Sequence, residues 1–385
     1  MTDSGLVTWF LALQFIVVGL LSLLVIGALA LGWMYLADVH QRRHAIRRNY
    51  PVIGRLRYLL ERLGFFFRQY FYTLDREEQP FNRAQRSWVY RAAKNVDGTL
   101  AFGSTLDLAA PGAVLFVPDE FPILEEDAAK DAPLVIGPHC ATPFTARSFF
   151  NVSALSYGAI SRVATLALSR GAARAGCWLN TGEGGLSPYH LDGGCDLVFQ
   201  IGTAKYGVRD AQGQLSDECL RAIAAHPQVR MFEIKLSQGA KPGKGGILPG
   251  IKVTPEVAEI RGIPIGQDSI SPNGHPDIRD VGQLLERIDH IRTVTGKPVG
   301  FKLVVGGGGF FDDLCQQIRV RGAERWAPDF ITLDSGDGGS GAAPQSLMDH
   351  AGLSIRETLA AVIDKLHEYG LRERIRGIAA GKLIT

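Results

Sequence analysis

The chain is expected to be an α/β protein of the TIM (β/α)8-barrel type, lacking the last strand and preceded by one N-terminal transmembrane helix. Three observations carry this expectation. From Phe149 onward, strand-like and helix-like segments alternate, as a parallel sheet requires. The strand candidates end in polar or glycine-rich residues, as in barrels whose chemistry lies at the C-terminal rim. Ahead of them, residues 4–37 contain no charged side chain, a run longer than the ~20 apolar residues that span a bilayer.

Composition narrows the function classes. The 385 residues suffice for one large domain or two smaller ones, and 46% hydrophobic content supports a sizeable core. A net charge of +2 argues against nucleic acid as the main partner. The five cysteines, Cys140, Cys177, Cys195, Cys219 and Cys315, form no C-x-x-C pair. Isolated thiols in a reducing compartment are therefore expected, and no metal site.

The apolar run follows Asp3, with no Lys or Arg before it, so it lacks the basic start of a secretory signal. Arg42, Arg43, Arg47 and Arg48 follow it instead. The positive-inside rule then places the bulk of the chain in the cytoplasm, on a single-pass anchor in the cell membrane. Trp9, Trp33 and Tyr35 suit the two interfaces. Residues 55–72 alternate arginines with aromatic and aliphatic residues. That pattern serves a helix on the membrane surface or one docked on the next domain. The expected division is an anchor over 1–37, a juxtamembrane and lead-in region over 38–138, and the barrel over 139–385.

Within the barrel the strand candidates are FFNVSAL, CWLN, LVFQIG, MFEIKL, PVGFKLVV, DFITLD and RIRGIAAG, seven in all. Helical spacing marks 160–176, 280–295, 312–322 and 354–369. The strand ends carry SYGAIS, then NTGEGG, then Gln200 with Lys205. After the fourth strand comes KLSQGAKPGKGGILPG, from Lys235 to Gly250. Its glycines admit close backbone approach and its lysines add positive charge for an anion. It is not a Walker loop: Gly245 follows Lys244, and the glycine spacing is one residue short. A glycine-rich surface loop with solvated lysines has the same composition. Lys302 and DSGDGGSGAAP complete the rim.

ALSYGAIS, NTGEGG, KLSQGAKPGKGGILPG, FKLV and DFITLDSGDGGSGAAP resemble the FMN-binding synthase domain of glutamate synthases, over about Pro143 to Thr385. The anchor and segment order resemble the membrane-anchored, stand-alone branch called FMN-binding glutamate synthase family proteins, which has no glutamine amidotransferase domain. The resemblance implies that Ser156, Gly158 and Ala159 pass close to FMN and that Gln200 bonds its pyrimidine edge. Lys302 is implied near the ring atoms that carry negative charge on reduction, where a fixed cation is stabilising. A barrel-interior lysine paired with a carboxylate is the other reading of Lys302. Lys241 resembles the lysine that grips the carboxylate of 2-oxoglutarate, and Glu183 a glutamate near substrate and flavin. Gly336, Gly338 and Gly339 are implied against the cofactor, and Gly381 beside its phosphate. The chain departs from the family in two ways. It ends where an eighth strand is due, and the cysteines that hold an iron–sulfur cluster in the family have no counterpart at such spacing.

The expected activity is FMN-dependent reductive amination of 2-oxoglutarate or a related 2-oxo acid, using ammonia or partner-supplied nitrogen. No pyridine-nucleotide motif is evident, so electrons are expected from a donor protein or reductase. Two other readings remain. One is a membrane-linked FMN dehydrogenase of another substrate class, although the H-G-x-R base motif is absent and His275 lies in NGHPD without a near arginine. The other is an inactive, truncated remnant.

Overall fold

The computed structural model describes residues 3–384 apart from Gly112, Val114, Lys130, Asp131, Ala240, Gly308 and Ala342. The chain divides into two units, Met1–Ala113 and Val114–Leu383.

In the first unit the apolar run forms α1 (Asp3–His40). Within its segment Leu13–His40, an 18-residue window has a mean hydropathy of 2.7 and none of that window is buried. Among the described residues it is the one helix long and apolar enough to cross a bilayer. Asp38, near its end, is fully buried. It accepts hydrogen bonds from Arg47 Nε at 2.9 Å, the Val52 N–H at 3.0 Å and Arg55 Nε at 2.8 Å. One carboxylate thus fastens the helices α2 (Ala45–Asn49) and α3 (Ile53–Phe67) to the end of α1. α3 exposes Leu56, Leu59, Leu60 and Leu63. Beyond it, Asn82 and Gln85 form a capping box that starts α4 (Arg83–Ala93).

The second unit opens with an antiparallel pair, β1 (Leu134–Ile136) and β2 (Phe144–Ala146). Helices and strands then alternate. Ser161 caps α5 (Arg162–Ala175), which ends at Gly176 in the left-handed region. There follow β3 (Leu179–Asn180), α6 (Pro188–Asp192), β4 (Leu197–Ile201), α7 (Asp217–Ala224) and β5 (Val229–Lys235). A small antiparallel pair, β6 (Ile247–Leu248) and β7 (Ser269–Ile270), flanks α8 (Pro255–Arg261). Asp280 caps α9 (Val281–Thr295), which leads to β8 (Val299–Val304), α10 (Phe310–Arg321), α11 (Ala323–Trp326) and β9 (Phe330–Asp334). Last come α12 (Gln345–His350), α13 (Ile355–Glu368), opened by the Ser354–Glu357 capping box, and β10 (Arg376–Ala380).

β3, β4, β5, β8, β9 and β10 form one parallel six-stranded sheet in chain order. That order never reverses, which separates a TIM-type arc from a doubly wound sheet. The first of the seven strand candidates is the exception. Residues 149–155 pair with β3 through a single bridge, Val152 to Leu179. Backbone bonds run from the Val152 N–H to Trp178, from the Asn180 N–H to Val152 and from the Leu155 N–H to Asn180, but the Asn151 side chain takes the Trp178 N–H and the turn after Ser156 ends the ladder, so the pairing stays at one bridge.

Side chains alternate across the sheet. Phe199, Ile201, Phe232, Ile234, Phe301, Leu303, Ile331 and Leu333 face the helices and form the main core with Leu284, Leu285, Ile288 and Leu314. Each buried Phe or Leu contributes about 1.5–3 kcal/mol. The opposite face begins with an apolar floor of Val198, Met231 and Phe330, covered by Ile136, Phe144 and Ala146 of the hairpin.

Asp329, fully buried just ahead of β9, secures the base of this sheet. It accepts from Arg292 Nε at 2.9 Å, Arg374 Nη1 at 3.0 Å and the Val299 N–H at 2.9 Å. Beside it, burial and the Asp329 charge push the Cys140 thiol up to about 12, so this cysteine is inert. Asp329→Asn leaves two arginines facing a neutral amide. It is expected to cost about 3–5 kcal/mol and lower the melting midpoint by roughly 10 °C. An unchanged midpoint would show that solvent neutralises Arg292 and Arg374.

Candidate functional site

Above the apolar floor, the same face of the sheet turns polar. Asn180, Gln200, Glu233, Lys302 and Thr332 occupy the next inward positions, one on each of five strands, and all five are buried. Glu233 is their hub. Its Oε1 accepts from Asn180 Nδ2 at 2.8 Å and Gln200 Nε2 at 2.6 Å, and its Oε2 from Thr332 Oγ1 at 2.6 Å. Gln200 Oε1 is buried and has no hydrogen-bond partner among the described residues. An acceptor left bare in this way is costly unless a ligand supplies a donor.

At the strand ends the charges alternate. Lys302 Nζ lies 3.3 Å from Asp334 Oδ1, so the carboxylate partner that a buried lysine demands is present. Asp334 Oδ2 also accepts the Gly239 N–H at 2.7 Å, which pins the Lys235–Gly250 loop across the top of the sheet. A Cβ on Gly239 would stand 1.6 Å from the Ser335 carbonyl oxygen, so only glycine fits this approach.

Lys235, at the end of β5, pairs with Glu183 at 3.0 Å. Burial raises the Glu183 carboxyl pKa. The charge and hydrogen bond of Lys235, then Lys241 and Arg261, outweigh it and hold the group below its ordinary range. Burial likewise draws the Lys241 ammonium down, opposed by Glu183. Lys241 is buried, whereas Glu183, Lys235, Lys244, Gly246 and Asn273 line an open cleft of about 260 Å³. His275 Nε2 lies 3.0 Å from the Lys235 carbonyl and donates to it, so this histidine supports the loop.

The other expected site residues fall around this centre in two places. Ser156 begins a turn in which its carbonyl accepts from the Ala159 and Ile160 N–H groups, with Gly158 at φ +95°. Gly182, at φ +66°, lies against it, and a Cβ there would come 2.5 Å from Ser156 Oγ. Gly336, Gly338 and Gly381 gather around Ser335 at the ends of β9 and β10. Gly339 is in open space, with nothing near the position its Cβ would take. Among the described residues no group of three His, Cys, Asp or Glu could hold a metal, and all five cysteines are free.

Sequence reading missed Glu233 and Thr332 as members of the site, and gave Asn180, Lys235 and Asp334, which stand in the rim motifs, no individual role. The available signal was parity. Glu233 and Lys235 continue the inward positions of Met231, and a charged residue there has to meet partners from neighbouring strands.

A chain-ordered parallel sheet with cations and bare backbone along its C-terminal rim defines a barrel-type enzyme scaffold. Comparison with known proteins specifies which one. A family model described as "Conserved region in glutamate synthase" matches residues 115–385, and the chain belongs to the glutamate synthase family. The glutamate synthase large subunit-like protein YerD of Bacillus subtilis is 37% identical over 98% of this chain and 78% of its own length. The archaeal-type glutamate synthase [NADPH] of Thermotoga maritima is 37% identical over 60% of this chain, but the match spans only 42% of that protein. The glutamate synthase [NADPH] large chain of B. subtilis is 33% identical over 61% of this chain, a match covering 15% of its own length.

Glu183→Gln tests the charge pairing. The folded carboxyl takes up its proton at lower pH than the unfolded one. Its stabilisation is therefore complete above the ordinary value of 4.5 and is lost as pH falls through the folded pKa. The variant is expected to lose about 1–3 kcal/mol at pH 7, with the gap to wild type closing in acid. Parallel pH–stability curves for the two proteins would exclude a role for the charge.

Proposed function

We propose that this chain is a membrane-anchored, FMN-dependent oxidoreductase that reductively aminates 2-oxoglutarate or a related 2-oxo acid. The observation that carries the reading is the unpartnered acceptor of Gln200, set near cations borne by β5, β8 and the loop after β5. Lys302, Lys235 and Lys241 converge on the same end of the sheet as that buried oxygen. An isoalloxazine has the complementary edge, one N–H donor between two carbonyls. The residues present fit FMN: Gln200 and Lys302 would hold the pyrimidine edge, and Ser156, Gly158 and Ala159 would pass beside the ring. Gly336, Gly338, Gly339 and Gly381 would give it backbone room near the ends of β9 and β10.

When bound, the flavin supplies the hydride. The chain's own residues bind and orient the acceptor. Lys241 and Lys235 suit the carboxylates of a 2-oxo diacid, and burial sharpens their attraction. Glu183, kept ionised by Lys235, suits ammonium or a protonated imine nitrogen and so favours the carbon–nitrogen end of the substrate. Electrons reach the site from a donor protein or reductase. α1 and the arginines after it support a single-pass anchor with the second unit on the cytoplasmic side. An iron–sulfur cluster has no ligand set among the described residues.

The full-length protein, purified in detergent and supplied with FMN, dithionite, ammonia and 2-oxoglutarate, is expected to form glutamate. Lys241→Met is expected to raise KM for the 2-oxo acid by about tenfold or more, with a smaller change in kcat. Flavin uptake with no turnover of any 2-oxo acid would overturn the substrate assignment. A KM unchanged in the variant would remove Lys241 from it. Release of the protein from membranes by alkaline carbonate would rule out the spanning anchor.

A further inference from the structure

Three side chains from three strands meet at the Glu233 carboxylate, and their donors are almost fully committed. Asn180 gives its Nδ2 to Glu233, and its Oδ1 accepts the Gly182 N–H at 3.0 Å, so both ends of that amide are used. Thr332 donates to the other carboxylate oxygen. The backbone of Gln200 is held as well, its N–H donating to Thr181 Oγ1 at 3.1 Å. That leaves the Gln200 side chain as the member with a free end.

A carboxylate only accepts, so the amide group facing it must present nitrogen. Turning the Gln200 amide over would set two oxygens against each other at 2.6 Å. Glu233 therefore determines which atom Gln200 offers to a ligand: Oε1, an acceptor, buried and aimed away from the carboxylate. Register pairs Gln200 with Glu233, and pairs Lys302 with Lys235 and Thr332 one inward position further along, so the cation stands at the rim next above the acceptor.

We propose that Glu233 is a positioning residue that orients the Gln200 amide so that its Oε1 accepts from a ligand imide N–H, which under the FMN reading above is N3–H of the flavin. The inference rests on that reading, since it assigns the donor. Its chemical content is narrower: the site selects a ring with an N–H at this edge and rejects one in which that hydrogen is replaced. A methyl group in place of the hydrogen leaves Oε1 bare and crowds it.

The test uses the full-length protein in detergent micelles, titrated with FMN and with N3-methyl FMN by flavin fluorescence. The readout is the ratio of the two affinities. Wild type is expected to prefer FMN by about tenfold or more, the usual consequence of leaving one buried polar group unpaired. Gln200→Met, which removes the acceptor, sets the floor, with the two ligands expected within about twofold. Glu233→Gln presents both a donor and an acceptor and no longer forces the Gln200 amide. Glu233→Met removes the partner altogether. Both are expected to move the ratio at least about threefold toward the Gln200→Met floor, with melting curves showing that the fold persists. If either folded Glu233 variant keeps the wild-type ratio, Glu233 does not act through Gln200 and the proposal fails while the FMN reading stands. A wild-type protein that binds flavin without preference overturns the acceptor assignment. One that binds no flavin overturns the cofactor reading and this proposal with it.

Discussion

Strand β9 has a carboxylate at each end, and much of the second unit depends on how the two are satisfied. At the base, Asp329 gathers Arg292, Arg374 and the start of β8. At the top, Asp334 holds Lys302 and the backbone of the glycine–lysine loop. Both are buried, where an unpaired charge is prohibitive, so the partners have little freedom to be elsewhere. The result is a sheet whose lower end is clamped to helix α9 and whose upper end is tied to the loop that carries Lys241.

Between these ends the inward face passes from apolar floor to neutral and charged hydrogen-bonded ring to ionic rim. The order has a physical logic. Met231, Val198 and Phe330 exclude water beneath the polar layer. Glu233 and its donors then lie in a medium of low dielectric, where hydrogen bonds orient side chains strongly. The rim above opens on a cleft lined by Glu183, Lys235 and Lys244, where charge can meet a ligand. Membership of the glutamate synthase family agrees with a scaffold of this kind.

Much of the fold was legible beforehand. Six of the seven strand candidates form the sheet, because each is a short apolar run whose neighbours demand a parallel partner. Helical spacing over 160–176, 280–295 and 354–369 matches α5, α9 and α13, whose ends the structure shows beside Ser161, Gly176, Asp280 and Ser354, residues that satisfy end groups a helix cannot satisfy itself. Residues 149–155 failed as a full strand for a reason that is not local: Asn151 bonds to Trp178, 27 residues away. The site was half legible. Motifs drew the eye to loops, so Lys241, Glu183 and the glycines stood out, whereas Glu233 and Thr332 lay inside strands that read as plain core.

The sequence by itself determined the classes of element, their order, the long apolar helix and the kinship of the rim loops, since all of these follow from periodicity, punctuation and local spacing. The tertiary structure alone decided which buried charges meet. Glu233 and Thr332 are 99 residues apart, and Gly239 and Asp334 are 95 apart. No local rule couples such positions. They come together because a curled parallel sheet brings alternate side chains of successive strands onto one face, and a buried carboxylate there must take the donors it finds.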